Sequence, residues 1–158
     1  MSEAENQSPP EIGIERLYVK DISFESPQSP AVFAGQWEPQ IKLDINTRFQ
    51  QLDTSRHEVV LTVTVNALQE DEKTAFIVEV LQAGVFRISG LAQDQLRRVL
   101  SAMCPGMLFP YARETIDSLV IKGGFPPLSL APVNFDALYE QALAQQAAVQ
   151  TEQGPDTH

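Results

Sequence analysis

The alternation of apolar and polar positions divides the chain into four extended segments followed by three helical ones. The segment Thr74–Ile88 (TAFIVEVLQAGVFRI) organises the rest. It is rich in β-branched and aromatic residues and reads as a strand. Its even positions carry Phe76, Val78, Val80, Phe86 and Ile88. Its odd positions carry Ile77, Leu81 and Val85, interrupted by Glu79 and Arg87. A strand that is apolar on both faces belongs in a sheet covered on each side. A chain of 158 residues has few helices with which to cover two faces. One face therefore either meets another subunit or stays open for a client.

The segment Ile12–Glu25 is a first strand whose apolar phase flips near Arg16 and again near Lys20, which predicts bulges. The run SPQSP (Ser26–Pro30) stops it, because proline has no ladder donor. A connection holding Phe33 follows. Trp37–Leu52 then alternates, with Trp37, Ile41, Leu43, Ile45 and Phe49 on one face. Glu58–Leu68 alternates again, after the turn DTSR. Short turns link the last three strands into an antiparallel meander, and the first strand joins by a longer crossover.

After Ser89-Gly90 the period becomes helical. Leu96, Val99, Leu100 and Met103 fall on one helix face. Pro105 and Gly106 are expected to break this helix and to push Cys104 out of the α region. A second helix is expected from about Met107 to Lys122, with Pro110 in its first turn and Gly123 as the left-handed residue after its end. The loop Gly123–Val133 is apolar and carries three prolines. Asn134 caps a last helix with Phe135, Leu138 and Ala142 inward. The fold class is α+β: one sheet with helices.

Residues 1–11 read as a disordered acidic tail, 12–146 as one domain, and 147–158 as a flexible tail without periodicity. No signal peptide, no membrane-length apolar run and a single cysteine predict a cytoplasmic protein that does not insert into membranes. The net charge of −10 argues against nucleic-acid binding and favours basic partners.

Only His57 and His158 are present, with no metal-ligand spacing and no phosphate loop, so neither metal nor cofactor is expected. Cys104 with His57 as base would be the one candidate for a cysteine-dependent hydrolase; a buried apolar role for Cys104 is the simpler account. The carboxylates sit on polar strand faces and in turns, where solvation explains them. An enzyme is not expected. Surplus apolar side chains on proline-rich loops, namely Phe33, Trp37, Phe125, Leu128 and Leu130, suggest a groove for apolar segments. Asp21 and Glu25 share a strand face.

Tyr18–Glu25 (YVKDISFE) with SPQSP, LFPYARE at Leu108–Glu114 and LAPVNFDALY at Leu130–Tyr139 closely resemble SecB, the bacterial protein-export chaperone family, and the likeness runs from about Ile14 to Leu143. The resemblance implies a four-stranded antiparallel sheet with helices packed on one face. It implies a homotetramer, a dimer of dimers, that holds unfolded precursor proteins without ATP and delivers them to the SecA translocation ATPase. It places SecA on Asp21, Glu25, Ile77 and Glu79, and support for the dimer–dimer contact at Val78, Val80 and Gln82. Client grooves fall along 27–37 and 123–132. A related chaperone dedicated to a toxin–antitoxin pair, or an acidic oligomer with a purely structural role, would fit the same residues.

Overall fold

The computed structural model describes residues 9–152. Of the expected tails, 1–11 and 147–158, residues 1–8 and 153–158 lie outside the described residues, while Glu11 opens the first strand and 147–152 are helical. Four strands form one antiparallel sheet: β1 (Glu11–Glu25), β2 (Gln40–Gln51), β3 (Arg56–Leu68) and β4 (Thr74–Ser89). Their spatial order is β1-β4-β3-β2, so the meander is complete and β1 returns beside β4 through the crossover. That crossover contains a single 3-10 turn, Ala31–Ala34. The predicted bulges are present: the β1–β4 register slips between Ile14 and Arg16 and between Val19 and Asp21. Each extra residue turns β1 so that Ile12, Ile14, Leu17, Val19, Ile22 and Phe24 all align with even positions of β4. Strand β2 starts at Gln40 rather than Trp37, since Pro39 cannot donate to the ladder.

The helices are α1 (Gln93–Arg98), α2 (Cys104–Lys122) and α3 (Phe135–Glu152). The expected break at Pro105 does not occur. One π-helical turn, Val99–Met103, joins α1 to α2, and the Cys104 N–H bonds back to the carbonyl of Val99. This wide turn opens the ladder just before Pro105, so the ring enters without a clash, and Cys104 stays helical at φ −63°, ψ −48°. Pro110 lies inside α2 instead of in its first turn, with its ring exposed. Helix α3 runs past Gln146 to Glu152. Its later residues, rich in Ala and Gln, have good helix propensity without an apolar stripe. Of the expected inner face of α3, Phe135 is buried while Leu138 and Ala142 are exposed.

The core lies between α2 and one sheet face. Val59, Leu61, Val63 and Val65 of β3 and Phe76, Val78, Val80 and Phe86 of β4 pack with Leu108, Ala112, Ile116 and Val120 of α2. Gly84 allows this approach: a Cβ there would meet the Phe86 ring at 3.0 Å, the carbonyl of Arg16 at 3.2 Å and Leu108 Cδ2 at 3.3 Å. Among the described residues no helix lies over the other face of β4. Its two-sided apolar character therefore comes from the chain's own helices on one side and an open sheet on the other.

Candidate functional site

The open sheet face collects the predicted acidic residues. Glu25 pairs with Ile77, Ser23 with Glu79 and Asp21 with Leu81, so Asp21, Glu25, Ile77 and Glu79 share that face across β1 and β4. Asp21 and Glu25 are exposed, and Ile77 and Glu79 are half-buried. Thr64 of β3 donates to Glu79 Oε2 at 2.8 Å, which fixes that carboxylate while leaving it partly in solvent. The other end of the same face is internally neutralised. Glu15 bridges Arg56 at 2.7 Å and Arg87 at 2.8 Å. Glu58, only 8% exposed, accepts from Tyr18, from Lys20 at 3.1 Å and from Gln50 at 3.0 Å. The Tyr18 hydrogen bond, then Lys20 and Gln50, holds the Glu58 carboxyl below its usual value against the opposing effect of burial. The same face also carries the exposed Arg16, opposite Val85, and Lys42 and Arg48 of β2, opposite Asn66 and Val60, so its acidic character is local to Asp21, Glu25 and Glu79.

The crossover and the loop after α2 meet at an aromatic seam. Phe33 lies 5.2 Å from Phe125, Trp37 lies 5.0 Å from Phe125 and 6.0 Å from Phe76, and Phe24 lies 5.9 Å from Phe76. The end of α2 explains the convergence. Gly124 N–H bonds to Ile121 O at 3.0 Å and Phe125 N–H to Val120 O at 3.1 Å, the paired bonds of a Schellman motif. The left-handed residue is Gly124 at φ +91°, one later than expected, and Gly123 is the cap. A Cβ on Gly124 would meet the Phe33 ring at 3.0 Å, so this glycine lets the crossover sit on the loop. The motif turns Phe125 inward, where it is 5% exposed. Phe125 therefore belongs to the core and offers almost no surface to solvent. Phe33 is 50% exposed, and Trp37, Leu128 and Leu130 are half-buried.

Val78, Val80 and Gln82 are not at a surface. They sit on the helix-covered face, fully buried or nearly so, and Gln82 Nε2 donates to the carbonyl of Tyr18 at 3.3 Å. The reason is register: even positions of β4 face α2. Within one chain the Val78 and Val80 side chains do not reach solvent, and Gln82 is 4% exposed.

Cys104 is fully buried in the core, and burial pushes its thiol up to about 12. It remains protonated at neutral pH, the reverse of what a nucleophile needs. His57 lies on β3 opposite Phe86, and burial lowers its imidazole. Cys104 is therefore not activated as a nucleophile.

One further recess escaped sequence reasoning. Ile45 and Phe49 of β2 face Phe135, Leu138, Tyr139 and Leu143 of α3 across a cavity of about 420 Å³. The signal was present in the clean alternation of β2 combined with the sparse apolar stripe of α3. An edge strand more apolar than the helix over it leaves Phe49 and Leu138 exposed.

The chain is thus an α+β protein, a helix-backed antiparallel sheet with an acidic cluster on its open face and an aromatic seam at its edge. Among the described residues no helix is long and apolar enough to cross a membrane. The family model for preprotein translocase subunit SecB matches residues 5–146, and the chain belongs to that family. It is accordingly a protein-export chaperone. A protein-export protein SecB of Hahella chejuensis is 54% identical over 151 residues, spanning 95% of this chain and 94% of its own length. That of Marinobacter nauticus is 57% identical over 139 residues, spanning 88% and 84%. Among solved structures, a SecB-like chaperone of Mycobacterium tuberculosis in complex with an antitoxin peptide aligns with a TM-score of 0.65. It covers 77% of this chain and 90% of its own; at 16% identity the likeness carries the fold alone.

Proposed function

We propose that the chain is an ATP-independent holdase that receives unfolded precursor proteins at the aromatic seam and passes them to the SecA motor. The observation that carries this is Phe33, half-exposed at the outer end of a ring stack anchored in the core by Phe125 and Phe76. Such an anchored, rigid apolar group accepts many side chains without selecting one sequence. Trp37, Leu128 and Leu130 extend the same wall. Proline-rich backbone on both sides limits its collapse. SecA docks on the open face through Asp21, Glu25 and Glu79, with Ile77 as the apolar contact, in the cytoplasm.

The working unit is a tetramer. Two apolar strips stay bare on the helix side: Ile14, Val19 and Ile22 on β1, and Met103 of the π turn with Tyr111 and Ile121 on α2. Copies of the chain cover both in this reading, and several grooves on one particle then raise avidity for a long client. Val78, Val80 and Gln82 support the contact from beneath, by setting where α2 lies.

The test is aggregation of a chemically denatured client in the absence of nucleotide. The purified protein should suppress it at stoichiometric tetramer. Unimpeded aggregation would refute the holdase reading.

A further inference from the structure

Two side chains one helical turn apart on α2 hold the loop that follows it. Asp117 Oδ1 accepts from the backbone N–H of Leu128 at 2.9 Å and from that of Ser129 at 3.2 Å. Arg113 Nη1 donates to the carbonyl of Leu130 at 3.4 Å. Three consecutive loop residues are thus gripped by side chains of a core helix. Backbone hydrogen bonds do not do this job: those around the loop stop at Phe125 and resume at Asn134. Pro126, Pro127 and Pro132 have no N–H to offer.

The grip also holds an unfavourable backbone. Ser129 is exposed and sits at φ +50°, a left-handed conformation that a residue with a Cβ adopts only when its surroundings impose it. The two N–H groups converging on one carboxylate oxygen are charge-assisted bonds, stronger than neutral ones. With Ser129 fixed in this way, Leu128 and Leu130 are both kept half-buried against the edge of the core.

We propose that Asp117 is the positioning residue of the client loop, setting Leu128 and Leu130 as a groove wall before any client arrives. The proposal rests on the groove reading above. Its consequence is preorganisation: the client does not have to order the loop, so that cost is absent from binding. Asp117 itself touches no client.

The experiment pairs amide hydrogen exchange with the affinity for a reduced, carboxymethylated and permanently unfolded polypeptide. Asp117→Ala should unprotect the Leu128 and Ser129 amides and weaken binding about tenfold, with exchange in the helices and strands unchanged. Asp117→Asn keeps the Oδ1 acceptor without its charge and should recover part of both the protection and the affinity that Asp117→Ala loses. Ser129→Val penalises the left-handed backbone from the loop side and should weaken binding similarly. An Asp117→Ala protein that opens the loop yet binds normally overturns the proposal, as does an Asp117→Asn protein that recovers neither. If Asp117→Ala does not fold, an unchanged affinity in Ser129→Val overturns it. A Leu128→Ser, Leu130→Ser double variant that binds normally refutes the groove itself, a separate failure.

Discussion

Thr64 donates its hydroxyl to Glu79 across the β3–β4 ladder at 2.8 Å, in the middle of the sheet face that no helix covers. The bond holds the Glu79 carboxylate in one position among Asp21, Glu25 and Ile77. A fixed, partly exposed charge is a better dock than a mobile one, because less side-chain freedom is lost on binding.

Glu79→Lys should therefore weaken SecA binding about tenfold, mostly through a slower association, and the parent's affinity should fall as salt rises. Thr64→Val should produce a smaller loss of the same kind. Client holding should be untouched in both. Titration calorimetry at two ionic strengths decides it: salt-independent binding, or normal affinity in Glu79→Lys, would remove the electrostatic dock.

Val78 lies in the core beneath α2. Val78→Glu buries an unpaired charge where a valine contributed roughly 1.5–3 kcal/mol, so it should lower stability as well as loosen the tetramer. Ile121→Glu on the bare side of α2, at a position 56% exposed, should split the assembly with the monomer fold intact. Sedimentation and far-UV circular dichroism together separate the two cases. A stable tetramer in Ile121→Glu would place the contact elsewhere.

Much of this was legible in the residues. The phase flips of β1 marked both bulges, because a one-residue slip moves every later side chain to the other face. Asp21 and Glu25 could be joined to Ile77 and Glu79 from strand parity and antiparallel pairing alone. What parity could not say is which face of β4 the helices take, and so whether Val78, Val80 and Gln82, which the resemblance gives to the dimer–dimer contact, lie bare or beneath α2. Pro105 misled for a local reason, since a π turn upstream removes the clash that a proline normally makes in a helix. Phe125 misled because a Schellman turn, not sequence position, decides that its ring points inward.

The Glu58 cluster predicts an acid-limb effect. Its folded value lies below its unfolded one, so its contribution is complete above about pH 4.5 and is lost as pH falls through the folded value. Tyr18, raised to about 12 mainly by burial and then by Glu58, contributes fully below about pH 10 and loses this as pH rises through the folded value. Urea midpoints from pH 2 to 6 should fall less steeply in Glu58→Gln than in the parent. Parallel curves would show that Glu58 plays no part in acid stability.

Gly84 predicts a steric effect. A Cβ 3.2 Å from the Arg16 carbonyl meets backbone, which cannot swing away. Gly84→Val should cost about 1–3 kcal/mol in unfolding free energy, read from denaturant midpoints. An unchanged midpoint would mean that β1 can shift outward freely.

The seam separates binding from folding within one ring stack. Phe33 is half-exposed, while Phe125, 5.2 Å from it, is buried. Phe33→Asp should lower the thermal midpoint far less than Phe125→Ala, since Phe33 is already half in solvent, yet it places a charge where apolar client segments must lie. Client affinity should drop about tenfold. Phe125→Ala should act the other way round. It opens a cavity beside Phe76 and Trp37 and should cost about 3–5 kcal/mol of stability, with weakened binding only as a consequence. Thermal unfolding and crosslinking of a photoreactive client, run side by side, give the answer. If Phe33→Asp binds clients as the parent does, while crosslinks fall instead on the recess between β2 and α3, the seam is packing and clients enter at Phe49 and Leu138.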